Sequence, residues 1–402
     1  MIDSKKIENC EKELLPQFKI LEDIALYNEE KVLNAFKKNK VALRHFCGTS
    51  GYGYGDEGRD TLNQLFADVF KSEAAICSPN LVSGTHAISS CLYGILRPND
   101  TALSITGKVY DTLNDVIYGK NNGSLSDFGI KFCEIPLKNG GFDFDAIKNK
   151  IAELKPKMIY MQRSRGYEWR NALTISEIET VVKFLRDIGF NGCIMLDNCY
   201  GEFIEKKEPT EVGVNIVAGS MIKNIGGGIA PTGGYVCGDK RYIELVQNRI
   251  TAPSIGGEVG SYAYGYQYFY QGLFLAPHTV LQSMKGAMLF SKVLSEKGYK
   301  VSPEPNAIPS DIITMIEFGN RDKLISFIQS IQANSPIDSN VKLLPWDMPG
   351  YCDQVIMAAG CFVQGSSIEL SADAPVKPPF IAYLQGGITY EHCKIALKNL
   401  DI

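Results

Sequence analysis

Lys223 stands where a lysine could act as a nucleophile toward an aldehyde. It ends the segment Ser220-Met221-Ile222-Lys223 and leads into Asn224-Ile225-Gly226-Gly227-Gly228, whose glycines would let a ligand approach the backbone closely. Burial at such a position is expected to lower the pKa of the amine and so to favour its nucleophilic form. A solvated loop lysine or a phosphate-binding lysine would show the same pattern.

Asp197 closes a second apolar segment, Cys193-Ile194-Met195-Leu196, and is followed by Asn198-Cys199-Tyr200. A carboxylate at the mouth of a buried strand needs a cationic partner, because an unpaired charge in a low-dielectric interior is costly. The protonated nitrogen of a pyridine ring would provide that partner through a charge-assisted hydrogen bond. A helix N-cap or a salt bridge with a nearby Lys or Arg would explain Asp197 equally well.

Two further features could bind the phosphate group and the aromatic ring of a ligand that carries an aldehyde and a pyridine nitrogen. Ser83-Gly84-Thr85-His86-Ala87 lies between an apolar segment and a helical one, so its backbone N–H groups could bind a phosphate at the helix start. Tyr110 follows another apolar segment, and its ring could stack on a planar heteroaromatic ring. Taken singly, the first feature is also typical of an ordinary N-cap, and the second of a packing tyrosine.

Together, the four features predict a site for pyridoxal 5'-phosphate. They follow one another along the chain, each at the end of a predicted strand. In this interpretation Ser83-Gly84-Thr85 binds the phosphate, Tyr110 stacks on the ring and Asp197 holds the proton on the ring nitrogen. Lys223 forms a Schiff base with the aldehyde and exchanges with the substrate amine. Lys223 and Tyr110 are the candidate catalytic residues.

The segments that carry these residues alternate between strand-like and helix-like patterns from about residue 61 to 250. Such alternation predicts an α/β fold with a doubly wound, largely parallel sheet, in which ligands bind at the carboxyl ends of the strands. The predicted strands are 74–77, 101–105, 131–135, 158–162, 193–197 and 216–221, and the predicted helices between them include 86–96, 145–154 and 176–188.

Three regions follow from this pattern. Residues 1–60 are predicted to form a helical arm and a glycine-tyrosine loop, Gly51-Tyr52-Gly53-Tyr54-Gly55. Residues 61–280 form the large cofactor-binding domain. Residues 281–402 form a smaller α+β domain with a helix, two or three strands and a last helix near residues 390–400.

Composition excludes several functional classes. The 41 Lys and Arg balance 45 Asp and Glu among 402 residues, so we expect a small-molecule substrate rather than a nucleic acid. No apolar segment approaches the roughly 20 residues of a membrane span and no signal peptide is evident, so we expect a cytoplasmic protein. The 11 cysteines form no C-x-x-C pair and only four histidines occur, which favours reduced thiols and argues against a metal site.

The chain resembles the fold-type I pyridoxal-phosphate enzymes of cysteine and methionine metabolism. Gly84 and Tyr110 are 26 positions apart, as are Asp197 and Lys223, which is similar to the spacing in that family. A bacterial subgroup, the methionine γ-lyase-like or aluminium-resistance proteins, is more similar still over most of residues 40–395. The stretches that carry this resemblance are Gly51-Tyr52-Gly53-Tyr54-Gly55-Asp56, Gln162-Arg163-Ser164-Arg165-Gly166-Tyr167, residues 223–234 and Tyr383-Leu384-Gln385-Gly386-Gly387.

The resemblance implies a homotetramer of active-site dimers. Tyr54 and Arg59 would reach the cofactor phosphate of a neighbouring subunit, and Ser220 would join the phosphate-binding turn. The sequence departs from the larger family near Gly166, where an Asn is usual, and at Ile222, where a Thr is usual, so the partner of the cofactor's phenolic oxygen is open.

The larger family also has a C-terminal Arg that binds the substrate carboxylate, and Ile381-Ala382-Tyr383-Leu384 stands in that region instead. Arg163 and Arg165 are the candidates to replace it, since each follows the predicted strand 158–162 and offers a bidentate guanidinium. Structural support of the backbone, or an ion pair, is the other explanation for these two arginines.

The activity that the resemblance implies is a carbon-sulfur lyase. It would release a thiol, a 2-oxo acid and ammonia from a cystathionine-like, cysteine-like or methionine-like substrate by β- or γ-elimination. The residues alone would equally suit an aminotransferase, a racemase or an aldolase. A cofactor-bound regulatory or metal-tolerance protein without turnover is a further alternative. A dinucleotide-dependent dehydrogenase is disfavoured, because no G-x-G-x-x-G follows the first strand.

Overall fold

A seven-stranded sheet carries the residues singled out above. The structure is a computed structural model that describes residues 2–348, 351 and 353–402. The strands are β1 (Ala74–Ser78), β2 (Thr101–Ser104), β3 (Lys131–Glu134), β4 (Met158–Gln162), β5 (Cys193–Asp197), β6 (Ile216–Ser220) and β7 (Gly234–Gly238). Their order is β1-β7-β6-β5-β4-β2-β3, and β7 is antiparallel to both of its neighbours while the other pairs are parallel.

Helices cover both faces of this sheet. Alternate residues of β4 show why, since Ile159 and Met161 pack into one core while Met158 and Tyr160 pack into the other. A strand with apolar residues on both sides must be covered on both sides. The helices are α1 (Ser4–Lys38), α2 (Glu57–Val69), α3 (Gly84–Ile95), α4 (Asp111–Tyr118), α5 (Phe144–Leu154), α6 (Ile175–Asp187), α7 (Lys240–Ile250), α8 (Gln267–Glu296), α9 (Arg321–Ala333) and α10 (Tyr390–Lys398).

The turn after β6 is closed at its base and pressed against α8. Ser220 pairs with Gly234 of β7, and the Met221 N–H donates to the carbonyl of Gly233 at 2.9 Å. The turn also meets α8 backbone to backbone, since a Cβ on Gly272 would lie 2.3 Å from the carbonyl oxygen of Gly226. Only glycine at position 272 permits this approach. The turn that contains Lys223 is therefore fixed by both the sheet and α8.

A second sheet forms the smaller domain. Its strands are β8 (Lys300–Ser302), β9 (Ile313–Glu317), β10 (Val355–Ala358), β11 (Ser371–Pro375) and β12 (Ile381–Gln385). They are antiparallel throughout, in the order β10-β11-β12-β9-β8. The prediction of two or three strands for this region was therefore too low, because the strands are short and long loops separate them.

Helix α1 packs against its own chain. Its residues Leu14, Phe18 and Leu21 are buried, and ion pairs join Glu22 to Lys285 (2.7 Å) and Glu13 to Lys292 (2.6 Å) on α8. Partly exposed ion pairs contribute at most about 1 kcal/mol each, whereas burying a large apolar side chain contributes roughly 1.5–3 kcal/mol. The apolar face therefore supplies most of the attachment. Within the described residues, no helix has both the length and the apolar character required to cross a bilayer.

Candidate active site

A cavity of about 460 Å³ lies at the carboxyl ends of β4, β5 and β6. Asp197 and Ser220 end two of these strands, and Lys223 follows within the turn after β6. The opposite wall comes from the smaller domain, where Asp373 and Tyr383 face the same space. This volume is typical of a site for a small molecule bound between two domains.

The predicted phosphate-binding turn lies beside the end of β6. The Ser83 hydroxyl caps α3 by accepting a hydrogen bond from the His86 N–H at 3.1 Å. A Cβ on Gly84 would lie 3.1 Å from the Cβ of Ser220 and 3.4 Å from the Cys199 sulfur. The first N–H groups of a helix lack intrahelical acceptors, so the start of α3 can donate to an anion bound in the cavity. Thr85 also lines the cavity, so the structure brings the four predicted residues together.

Asp197 lies buried in the cavity wall. One of its carboxylate oxygens accepts a hydrogen bond from the Cys199 N–H at 3.0 Å. Burial raises the pKa of Asp197, although this N–H and the positive charge of Lys223 act in the opposite direction. Asp197 neither caps a helix nor forms a salt bridge among the residues described. A cation placed against it would therefore relieve the cost of its burial.

Lys223 is partly exposed in the cavity wall, and acidic and aromatic groups lie around it. Its Nζ lies 4.5 Å from the centre of the Tyr200 ring. Burial alone would lower its pKa, but nearby acidic groups outweigh burial and place the pKa above its ordinary value. These groups are Cys199, Tyr200, Asp197 and Glu202. The prediction of a lowered pKa was therefore wrong for this arrangement, and the amine must lose a proton before it can act as a nucleophile.

Tyr110 stands at the start of α4 in the cavity wall, where the sequence placed it. Its N–H donates to the side-chain oxygen of Gln162 at 2.8 Å, and its hydroxyl lies 3.0 Å from that of Tyr351. The ring is tilted by 48° against the ring of Tyr167. Burial raises the pKa of Tyr110 well above its ordinary value. The phenol is therefore neutral near pH 7 and can donate a hydrogen bond.

Arg163 and Arg165 do not lie in this cavity. The Arg163 guanidinium donates to the Gly201 carbonyl at 2.7 Å and to the Asn198 side chain at 3.0 Å. Arg165 makes a bidentate pair with Asp311, with both N–O distances at 2.9 Å. The structure does not support the predicted role of either arginine in binding a substrate carboxylate, because internal partners already occupy both guanidinium groups. The explanation by ion-pair support fits both residues.

Tyr54 and Arg59 also lie outside the cavity of their own chain. Tyr54 is 69% exposed, and Arg59 donates to the carbonyl of Gly53 at 3.0 Å and to Asp60 at 2.9 Å. Their expected contact with a neighbouring subunit's cofactor stays a prediction.

The sequence interpretation missed the acidic residue of the smaller domain. Asp373 lies on β11 opposite Tyr383 of β12, and it accepts a hydrogen bond from the Tyr167 hydroxyl at 3.2 Å. Burial raises its pKa to about 7. The signal was present in the sequence Ala372-Asp373-Ala374, since a single charge between two small apolar residues of a strand points to the opposite face.

Glu202 is a second buried acid near Lys223 that was not predicted. It accepts a hydrogen bond from the Tyr235 hydroxyl at 2.7 Å, while its other oxygen has no partner. Burial raises the pKa of Glu202 to about 8. The surroundings of Lys223 therefore include a carboxyl group that can be either neutral or charged near neutral pH.

Known proteins share this architecture. The pyridoxal-5'-phosphate-dependent protein YhfS from Escherichia coli superposes with a TM-score of 0.64 at 18% identity, covering 93% of this chain and 95% of that chain. At this identity the likeness shows the fold, which is fold type I. A carbon-sulfur lyase involved in aluminium resistance from Clostridium novyi NT is much more similar, with 48% identity, a TM-score of 0.94 and coverage of 98% of this chain and 94% of that chain.

Sequence comparison agrees with the structural one. The uncharacterized protein YnbB of Bacillus subtilis (strain 168) is 49% identical over 383 residues, which cover 94% of this chain and 91% of YnbB. The family model for methionine gamma-lyase matches residues 3–401. This match spans both domains and every residue of the cavity described above. The chain therefore belongs to the methionine gamma-lyase family.

Proposed function

We propose that the protein is a pyridoxal-phosphate-dependent carbon-sulfur lyase that acts on a sulfur-containing amino acid by β- or γ-elimination. The observation that carries the proposal is the meeting of the α3 start, Asp197 and Lys223 in one cavity. Membership of the methionine gamma-lyase family supports the reaction type.

The residues present fit this cofactor at each of its three polar ends. The start of α3 lines the cavity with Ser83, Gly84 and Thr85 beside Ser220, and its first N–H groups can bind a phosphate. Asp197 is a buried carboxyl that needs a cation, as a protonated ring nitrogen would be. Lys223 supplies the amine that reacts with the aldehyde.

When bound, pyridoxal phosphate supplies an aldehyde for the substrate amine and an electron sink for the charge left at Cα. Asp197 holds the proton on the ring nitrogen. Lys223 Nζ, once neutral, takes the proton from Cα. In β-elimination the C–S bond would then break with its electron pair on sulfur, whereas γ-elimination would first require the loss of a proton from Cβ. The neutral Tyr110 hydroxyl lines the cavity and would donate a proton to the departing thiolate.

We also propose a cytoplasmic homotetramer in which Tyr54 and Arg59 contact the phosphate of a neighbouring subunit. In the described lining of the cavity, Lys223 is the one cationic side chain. A phosphate there would therefore benefit from a guanidinium supplied by another subunit. The ten described cysteines are free, which suits a reducing compartment.

The test joins cofactor mapping to product analysis. Purified protein is loaded with pyridoxal phosphate, reduced with borohydride and digested, and a pyridoxyl group is expected on Lys223. Formation of 2-oxo acid and thiol is then measured with L-cystathionine, L-cysteine and L-methionine. Lys223→Ala should abolish both the label and the turnover, while Lys240→Ala, at an exposed position of α7, should change neither.

Two results would contradict the proposal at different points. A protein that stays unlabelled after cofactor is added would reject the cofactor assignment. A protein labelled on Lys223 that releases no 2-oxo acid from any of the three substrates, nor from S-(2-aminoethyl)-L-cysteine, would reject the lyase reaction. Amino-group transfer, racemisation, aldol cleavage or a regulatory role would then be the activities to examine.

A further inference from the structure

Asp373 lines the active-site cavity, and one of its carboxylate oxygens has no hydrogen-bond partner. It stands at the middle of β11, between Met357 of β10 and Tyr383 of β12 in the strand register. Its neighbours Ala372 and Ala374 pack into the core of the smaller domain. Asp373 therefore points the other way and lines the cavity.

The carboxylate is almost completely removed from solvent. Asp373 is 7% exposed, its Oδ2 accepts from the Tyr167 hydroxyl at 3.2 Å, and its Oδ1 is buried without a hydrogen-bond partner. A buried carboxylate with a free acceptor is costly unless a cation or a donor meets it. A ligand that enters the cavity is the natural source of that group.

Among the described residues that line the cavity, Lys223 is the single side chain that could pair with Asp373 as a cation. Five tyrosines lie close to Asp373, and each is neutral near pH 7 because burial raises its pKa. They are Tyr110, Tyr167, Tyr200, Tyr351 and Tyr383. Lys223 is the one cationic side chain in the described lining, and the proposed reaction commits it and Asp197 to the cofactor. Asp373 is thus the one ionisable carboxyl group of the described cavity lining that the cofactor does not use.

We propose that Asp373 binds a second, distal ammonium group of the substrate, so that the enzyme acts on diamino acids whose side chain ends in a cationic amine. That a C–S bond lies between the α-carbon and this distal amine rests on the lyase reaction proposed above. An ammonium can donate to the Asp373 carboxylate and neutralise its charge at once. A distal carboxylate would instead repel Asp373, and an alkyl group would leave Oδ1 unpaired.

Two ligands of matched shape test this assignment without turnover. L-Ornithine and L-norleucine have the same number of heavy atoms, and only the first ends in an ammonium group. Calorimetric titration of the cofactor-loaded protein at pH 8 should show ornithine binding about 10- to 100-fold more tightly than norleucine. Asp373→Asn should abolish this preference, while Asp353→Asn, at a carboxylate paired with Lys377 on the surface, should retain it.

The preference should also depend on pH. Burial raises the pKa of Asp373 to about 7, so lowering the pH from 8 to 6 should reduce the ornithine-to-norleucine ratio several-fold. The pH dependence of norleucine binding serves as the reference, because norleucine has no ammonium group to pair with Asp373 and its affinity responds only to the titration of other groups. If Asp373→Asn does not fold, Tyr167→Phe provides the second variant, because loss of the Tyr167 donor should move the pH at which the preference appears upward.

A last pair of compounds separates this inference from the lyase proposal. S-(2-aminoethyl)-L-cysteine should give a higher kcat/KM than S-propyl-L-cysteine, which carries a methyl in place of the ammonium. Equal binding of ornithine and norleucine, unchanged by Asp373→Asn, would overturn the inference even if both thioethers are cleaved. An Asp373-dependent preference for ornithine with no thioether cleavage would sustain the inference and reject the lyase.

Discussion

Gly84 and Ser220 approach so closely that a Cβ on residue 84 would lie 3.1 Å from the Cβ of Ser220. This contact joins the start of α3 to the end of β6, and the proposed phosphate position depends on it. Gly84→Ala must push one of these elements back. We expect the dissociation constant for pyridoxal phosphate to rise by about tenfold, as one lost charge-assisted hydrogen bond would cause.

Absorbance titration of the cofactor-free protein measures this effect. Gly141→Ala is the matched control, because a Cβ there meets nothing nearer than 3.9 Å and the backbone conformation suits alanine. An unchanged affinity in Gly84→Ala would place the phosphate elsewhere.

Asp197→Asn should separate stability from activity. Burial raises the pKa of Asp197, so its charge is unfavourable in the folded cofactor-free protein. Asparagine keeps the shape without the charge, and the melting temperature without cofactor should be equal or higher. Turnover by the cofactor-loaded variant should fall at least about tenfold, because the ring nitrogen loses its anionic partner. Asp187→Asn, at the exposed end of α6, should change neither measurement, and a fall in melting temperature would contradict the explanation.

Glu202 should make the protein less stable as the pH rises. Its pKa is about 8 in the folded protein against 4.5 ordinarily, so between these values the folded state binds more protons than the unfolded state. The free energy of unfolding therefore falls as the pH rises from about 4.5 to about 8, by about 5 kcal/mol for this group at about 1.36 kcal/mol per pKa unit.

Urea unfolding at pH 5 and pH 8.5 measures this loss. Glu202→Gln removes this titration and should reduce the pH dependence, while the raised pKa of Asp373 still contributes to it. A stability that is the same at both pH values in the unmodified protein would show that Glu202 does not hold its proton in the folded state.

Arg165 should matter for stability rather than for substrate affinity. It follows β4 in the large domain and pairs with Asp311, which lies just before β9 in the smaller domain, with both residues buried. Arg165→Met would leave the Asp311 charge without its partner and should cost roughly 3–5 kcal/mol of unfolding free energy. The double variant with Asp311→Asn should regain part of that loss. A large rise in KM without loss of stability would instead restore Arg165 as a substrate ligand.

The strands nearest the cofactor site were predictable because they are continuous apolar segments. The bounds of β4 and β5 agree with those predicted, and both strands are buried along their whole length. Strand β7 was missed, since Gly234–Gly238 has glycine at both ends and follows a glycine-rich turn. Here the pairing with β1 and β6 decides the structure, and local propensity does not.

The residues of the candidate site also fall into two groups, those that local sequence patterns indicate and those that only distant contacts define. Asp197 and Lys223 could be singled out from the sequence because Asp197 ends an apolar strand and Lys223 lies in the turn just after another. The role of Arg165 was misjudged because its partner Asp311 is 146 positions away along the chain. Asp373 was missed for a similar reason, since only the packing of the two domains places β11 against the cavity. Contacts between distant segments leave little trace in local sequence patterns.

The closed turn between β6 and β7 has a kinetic consequence. Because the Ser220–Gly234 pair shuts its base and Gly272 of α8 holds its far side, Lys223 is already in place before any ligand arrives. The entropy of ordering this turn is then lost during folding and does not burden each encounter with a ligand. Capture of the cofactor should accordingly follow a single exponential whose rate is proportional to cofactor concentration, without a slow rearrangement of the lysine afterwards.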